Sequence, residues 1–338
     1  MVLGNIEYKK LKKGGHIMST TKKITTKFKS FQIIHEEYQK ALTESNDIMD
    51  IVSNFRKRLE KPEVISQIPE KEKQSFFIFR SYIKNCYYER KATFQLTNLI
   101  NDVLTVILYI ILYHNDTNTI KVDMNVNSRR KSLKRDLAKM LKKAFNSSDS
   151  SDEWGVKDRF GLRGILLNKN LSEEENIKLL IKITNLILGI LTNTSEEFQN
   201  FEKWAKNNSL IDDFTKLRLK QTLSLPFQVD RFKDFVNNPK SNNYQSLHFN
   251  LMLPHYSPIC PGAILDFQFR NYDMHKEAEH GSASHQGYEE ETKEFTDIFE
   301  VDDFSQLHIV GFDIKEDLDG INKSKDIANR RISSNLVK

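Results

Sequence analysis

The sequence predicts an α+β fold: a mixed β-sheet flanked by helices, with a helical extension at its N-terminal side. Three observations lead there. Apolar residues recur at three- and four-residue steps through the first third of the chain, the spacing of a buried helix face. From Ile120 the period changes to two, the alternation of a half-buried strand. Between Arg231 and Tyr288, charged, amide and aromatic residues alternate with apolar ones beside a Pro/Asn/Ser turn, which marks a site built on a sheet.

Taken in order, residues 22–62 and 68–115 read as helices, with Pro62 and Pro69 punctuating the join. Phe28, Phe31, Ile34, Tyr38 and Leu42 form the first apolar face. The longest apolar run, Val103 to Tyr113, is broken only by Thr105. It falls short of the ~20 apolar residues a membrane span requires, so a buried core helix is expected.

Ile120, Val122, Met124 and Val126 alternate with Lys121, Asp123 and Asn125 as a strand, and Ser128–Lys143 reads as a strand followed by a basic helix. A polar loop covers 146–153, and Phe160–Leu167 reads as a strand opened by Asp158 and carrying Arg163. Ser172 and Glu175 satisfy a capping box for a helix repeating Ile177, Leu180, Thr184, Ile187 and Leu191. A second helix is expected near 195–207, and 208–230 carries no clear pattern. Strands follow at 245–253 and 263–270, a helix at 272–290, and a last strand near Leu307–Ile314. The expected organisation is a basic tail (1–21), a helical region (22–116), a sheet domain (117–292) and a C-terminal strand with a polar tail (293–338).

A chain of 338 residues, 38% hydrophobic, with 22 Phe and 11 Tyr, carries enough apolar mass for a real core, which excludes global disorder. Its two cysteines, Cys86 and Cys260, provide neither a disulfide framework nor metal-ligand spacing. No signal-peptide pattern is present, so a cytoplasmic protein without a membrane partner is expected. The net charge of +5 is concentrated in the first thirty residues, where eight lysines face Glu7 alone. A basic tail on a near-neutral body is usually a solvated extension. Within that tail, Lys13-Gly-Gly-His-Ile-Met18 is also compatible with initiation at Met18.

Two acids and two sets of bases carry the chemistry. Asp158 sits where a loop meets a strand, and Asp266 lies inside the apolar run Ile264-Leu-Asp-Phe-Gln-Phe. A buried carboxylate is costly unless it meets a cation. Two such groups on neighbouring strands suit Mg²⁺, which takes a few carboxylates together with phosphate oxygens. The competing reading has Asp158 capping a turn and Asp266 pairing with Arg163 or Arg270. Arg129, Lys131 and Lys139 on one side, and Arg231, Lys233 and Lys240 on the other, provide forked and point-charge contacts to phosphate. Together they suggest two polyphosphate substrates. Tyr244, beside the turn and Lys240, offers a ring for a base to stack on.

These residues resemble the synthetase domain of the RelA/SpoT family, which makes the alarmone (p)ppGpp. The family run Arg-x-Lys-Asp, Asn-Pro-Lys-x-Asn-Gly-Tyr-x-Ser-Leu-His appears from Arg231 to His248 without a gap. Its Glu-x-Gln-x-Arg strand appears as Asp266-Phe-Gln268-Phe-Arg270, followed by Met274-His275, Ala278-Glu279, His285 and Tyr288. Arg129-Arg-Lys131-Ser132 with Lys139, and Asp158 with Arg163, match two further motifs. Departures are Asp266 for Glu, Asn243 for the turn Gly, Gln286 for Trp and Arg135 for Ser. Asn tolerates left-handed geometry well.

The resemblance implies a nucleotidyltransferase-like fold and a GTP pyrophosphokinase. Arg129, Lys131 and Lys139 would grip the ATP phosphates. Asp158 and Asp266 would bind Mg²⁺, with Asp266 also helping to deprotonate the acceptor ribose 3′-hydroxyl. Arg231, Lys233, Lys240, Asn242, His248 and Gln268 would hold the acceptor, GDP or GTP, and Tyr244 would stack on its base. No His-Asp dipeptide occurs, so a stand-alone synthetase without the family's hydrolase and regulatory modules is expected. Three alternatives stay open at this point: the tRNA 3′ end as acceptor, adenine nucleotides as acceptor, and an inactive nucleotide-binding relative. A homo-oligomer is also left open.

Overall fold

A computed structural model describes residues 28–45, 47–91, 93–130, 133–146, 159–254, 262–281, 295–299 and 312–313. Lys131, Asp158, His285, Gln286, Tyr288 and the basic tail lie outside these residues, as does the side chain of Arg129.

The first expected helix is divided. Helix α1 spans Lys29–Glu44 and α2 spans Ile48–Leu59. The division falls where Asp47 caps α2, its side chain accepting from the backbone N–H of Met49 at 2.7 Å and of Asp50 at 3.1 Å. An aspartate there satisfies donors that a continuous helix would have bonded internally. A short helix α3 (Pro62–Ile65) and a 3₁₀ turn (Glu70–Glu72) lead into α4, Lys73–Lys91. Helix α5 is Thr93–Thr117.

Strand β1 (Met124–Arg130) begins later than its alternation predicts and carries Arg129 just before the expected basic helix. Helix α6 is Leu133–Asn146 and β2 is Phe160–Leu166. Helix α7 (Glu173–Leu191) carries the expected capping box: the Ser172 hydroxyl accepts from the Glu175 N–H, and the Glu175 carboxylate accepts from the Ser172 N–H. Helices α8 (Glu196–Asn207) and α9 (Asp213–Leu223) follow. The patternless stretch before Arg231 therefore holds α9 and the start of β3, Gln228–Asp234. Strands β4 (Leu247–Leu253) and β5 (Ala263–Asn271) and helix α10 (Tyr272–His280) complete the central part. Asn271 caps α10, accepting from the Met274 N–H at 2.9 Å. The helix expected over 272–290 is described only to His280, and β6 is Phe312–Asp313.

The strands form one sheet in the order β3-β4-β5-β2-β1-β6. Neighbours are antiparallel except β5 and β2, which run parallel, so the sheet is mixed as predicted. Its apolar face carries Phe249, Phe267, Phe269, Leu251, Leu265 and Leu162 and packs in one core with α5, α7, α8 and α9. The Phe249 and Phe267 rings stack at 4.5 Å. Gly164 is required on β2 because a Cβ there would lie 2.5 Å from the Phe269 ring. The apolar stretch of α5 is long enough to cross a membrane by length and composition. Here Ile100, Val103, Val106, Ile107, Ile110 and Ile111 are fully buried in the sheet's core.

A second core joins α1, α2, α4 and α6 to residues 295–299. The Phe299 ring lies 5.2 Å from Tyr38, 6.4 Å from Phe55 and 6.3 Å from Phe79. His35 Nδ1 stands 2.7 Å from the Ile298 carbonyl oxygen. Helix α6 is tied to this half through a buried carboxylate. Asp136 accepts from Arg90 of α4 at 3.0 Å and pairs with Arg159, the residue before β2, at 3.2 Å. The three side chains are almost fully enclosed.

A candidate nucleotide site on the polar face of the sheet

Strand residues alternate between faces, so register alone assembles the opposite surface of the sheet. One row across it reads Arg231, Asn250, Asp266, Gly161 and Arg129, one residue from each of β3, β4, β5, β2 and β1. The next row reads Lys233, His248, Gln268, Arg163 and Asn127. Candidates from four separate sequence segments thus share one face. Asp266 occupies its middle, with bases toward both edges.

Every residue of β5 is buried, including Asp266, Gln268 and Arg270. The carboxylate of Asp266 accepts from two amides, Asn250 Nδ2 to Oδ1 at 3.0 Å and Gln268 Nε2 to Oδ2 at 2.7 Å. The competing reading offered Arg163 or Arg270 as the partner of Asp266. Both arginines sit on Glu279 of α10, at 2.9 Å and 3.5 Å. Helix α10 starts directly after β5, so its second turn carries Glu279 back over the strands. Burial first, then the charge of Arg163, holds nearby His275 below the ordinary histidine pKa.

A chain of hydrogen bonds runs outward from the acid. Arg270 donates to Gln268 Oε1 at 3.3 Å and to Tyr244 Oη at 2.5 Å. Tyr244 Oη also lies 2.8 Å from His248 Nε2. Tyr244 stands just after the turn between β3 and β4. There Asn243 adopts φ 61°, a left-handed conformation that asparagine accepts more readily than most residues. The exposed Asn242 uses its carbonyl oxygen to accept from the Tyr244 N–H at 3.4 Å. Lys240 Nζ is 4.7 Å from the Tyr244 ring centroid and 4.8 Å from that of Phe235. The Arg270 guanidinium is 4.8 Å from the Tyr244 ring. Lys233 Nζ is 5.6 Å from the Phe235 ring, and Arg231 is exposed beside it on the edge strand.

Burial first, then the charges of Lys233, Arg270 and Lys139, hold the Lys240 ammonium below the ordinary lysine pKa. Lys139 comes from α6, the side expected to hold ATP, and Lys240 from the acceptor side. In this set the Asp266 carboxylate is the anionic oxygen ligand a hard divalent cation would take, since the Asn250 and Gln268 amides turn their nitrogens toward it. Among the described residues no cluster of three or more His, Cys, Asp or Glu is present. Asp158, the second expected acid, lies outside the described residues. Sequence reasoning assigned no role to Asn250 or Glu279. Only for Asn250 was a signal available: it stands two residues beyond His248, on the same strand face.

A mixed sheet whose polar face gathers bases around one buried acid suits an anionic ligand. Comparison narrows the class. Residues 212–293, which build α9, β3 to β5 and α10, match a family profile described as a region found in RelA / SpoT proteins. This part of the chain is therefore a RelA/SpoT region. A GTP pyrophosphokinase of Streptomyces antibioticus is 43% identical over 61 residues, 18% of this chain and 6% of that protein. A guanosine-3′,5′-bis(diphosphate) 3′-pyrophosphohydrolase of Aquifex aeolicus is 36% identical over 83 residues, 25% of this chain and 11% of that protein. The matched stretches thus span about a tenth or less of those relatives' lengths. Among solved structures, small alarmone synthetase 1 of Bacillus subtilis bound to its product pppGpp aligns with a TM-score of 0.33 at 16% identity, covering 62% of this chain and 84% of that one.

Proposed function

We propose that the chain transfers the β,γ-pyrophosphate of ATP to the ribose 3′-hydroxyl of GDP or GTP, giving (p)ppGpp and AMP. The observation that carries this reading is the row Arg231, Asn250, Asp266, Gly161, Arg129, which sets one buried acid between two basic margins.

In the reaction, the 3′-oxygen of the acceptor bonds to the β-phosphorus of ATP. The bond from that phosphorus to the oxygen bridging the α-phosphate breaks, and AMP leaves. Asp266 would take the hydroxyl proton. Lys139, with Arg129 and Lys131, holds the ATP phosphates. Lys233, Lys240, Arg231, Asn242, His248 and Gln268 orient the acceptor, whose base stacks on Tyr244. Mg²⁺, held by Asp266 and Asp158, would neutralise charge on the transferred phosphates. Positioning and charge neutralisation supply most of the catalysis in such transfers. The cytoplasm, where these nucleotides are held, is the proposed location.

Labelled ATP offered with GDP, GTP, an adenine nucleotide or tRNA tests the reading. AMP should form only when a guanine nucleotide is present, and Asp266→Ala should lose product by at least ~10³-fold while its circular dichroism spectrum is retained. Label entering tRNA or an adenine nucleotide would overturn the acceptor assignment. Tight nucleotide binding without AMP release would overturn the enzymatic reading.

A further inference from the structure

Asn250 stands directly across from Asp266 in the β4–β5 register, and its amide donates to Asp266 Oδ1 at 3.0 Å. Gln268, two residues along β5, donates to Oδ2 at 2.7 Å. Asn250, Asp266 and Gln268 are 7%, 6% and 8% exposed, so rotation of the carboxylate in that enclosed space would break both bonds. The choice of donor matters. Both donors are neutral amides, so they orient the acid without adding charge beside it. Gly161, opposite Asp266 on the other flank, adds no side chain beside the carboxylate. Arg231 is the register partner of Asn250 on the edge strand, so Asn250 also separates that positive side chain from the acid.

We propose that Asn250 is a positioning residue, fixing the direction in which Asp266 presents its carboxylate to a divalent cation and to the acceptor hydroxyl. This rests on the proposed function for the identity of the acceptor, but the cation part stands without it. Groups that orient a metal-holding side chain commonly change metal affinity or activity ~10–100-fold when removed.

The test compares the wild-type chain with Asn250→Ala and with Asn250→Leu, which fills a similar volume without a donor and keeps the test open if the smaller residue does not fold. Mn²⁺ binding is read by electron paramagnetic resonance without nucleotide, and steady-state kinetics are read with ATP and GDP. A positioning role predicts Mn²⁺ binding ~10–100-fold weaker in both variants. It also predicts a kcat reduced within the same range and KM values for both nucleotides within about 3-fold of wild type. Asp266→Ala, as reference, should weaken Mn²⁺ binding at least as much. Wild-type Mn²⁺ binding in folded Asn250 variants overturns the proposal, as does a loss that merely tracks a lower folded fraction on thermal unfolding. Failure of the functional reading looks different: the wild-type chain itself would release no AMP with any acceptor, while the Mn²⁺ comparison still decides the role of Asn250.

Discussion

Lys240 in the β3–β4 turn stands 4.7 Å from the Tyr244 ring, and burial first, then the charges of Lys233, Arg270 and Lys139 of α6, hold its pKa below the ordinary value. Such like-charge crowding is costly in the empty site and is relieved by a bound polyanion. The phosphates of a nucleotide therefore raise the Lys240 pKa, and binding takes up a proton wherever the free lysine has begun to deprotonate. Affinity for ATP or GTP should accordingly fall as pH rises through the depressed value, below the ordinary 10.5. Folding stability should do the reverse. A lysine with a lowered folded-state pKa binds fewer protons than the unfolded chain between the two values, so its contribution rises with pH there. Calorimetry in buffers of different ionisation enthalpy checks the proton uptake, and Lys240→Met should abolish it.

The ring of Tyr244 is flanked by Lys240 at 4.7 Å and Arg270 at 4.8 Å. A base that stacks there displaces a cation, and Lys240, on the exposed turn, is the one able to swing toward phosphate. Aromatic stacking is worth ~1–3 kcal/mol per base. Tyr244→Ala should therefore raise the KM of the acceptor by about 5- to 150-fold while leaving that of ATP within a few fold. Tyr244→Phe keeps the ring and loses the hydroxyl contacts to His248 and Arg270, so its effect should be several-fold smaller. Initial-rate kinetics against both substrates separate the two.

Asp136 serves Arg90 and Arg159 together in an enclosed site. Removing one member of a buried ionic cluster typically costs 3–5 kcal/mol. Asp136→Ala should lose about that much in urea unfolding, loosening α6 from α4. The ATP-side Lys139 shares this helix, so in the folded fraction the KM for ATP should rise before that for the acceptor.

Much of the site was legible because a strand of period two writes its own face. Once Asp266, Gln268 and Arg270 were read as one side of a strand, the sheet needed only to bring Lys233 and His248 alongside. The grip of Glu279 on Arg163 and Arg270 was not legible, since it depends on the angle at which α10 folds back over β2 and β5. Local spacing carries no information about that angle. Asn250 was overlooked because a single amide in an apolar strand is unremarkable until its cross-strand neighbour is known. The continuous reading of residues 22–62 failed at a local signal that was present: Asp47, preceded by Ser45, marks a fresh helix start, and the apolar periodicity around it concealed the break.

The aromatic residues near 295–299 settle in a socket lined by helices from the other end of the chain. The polypeptide thereby closes on itself like a clasp. Trimming the gene for expression has a hard stop here. A product that ended before Phe295 would expose Tyr38, Phe55 and Phe79 together, so the two halves cannot be assayed as separate pieces.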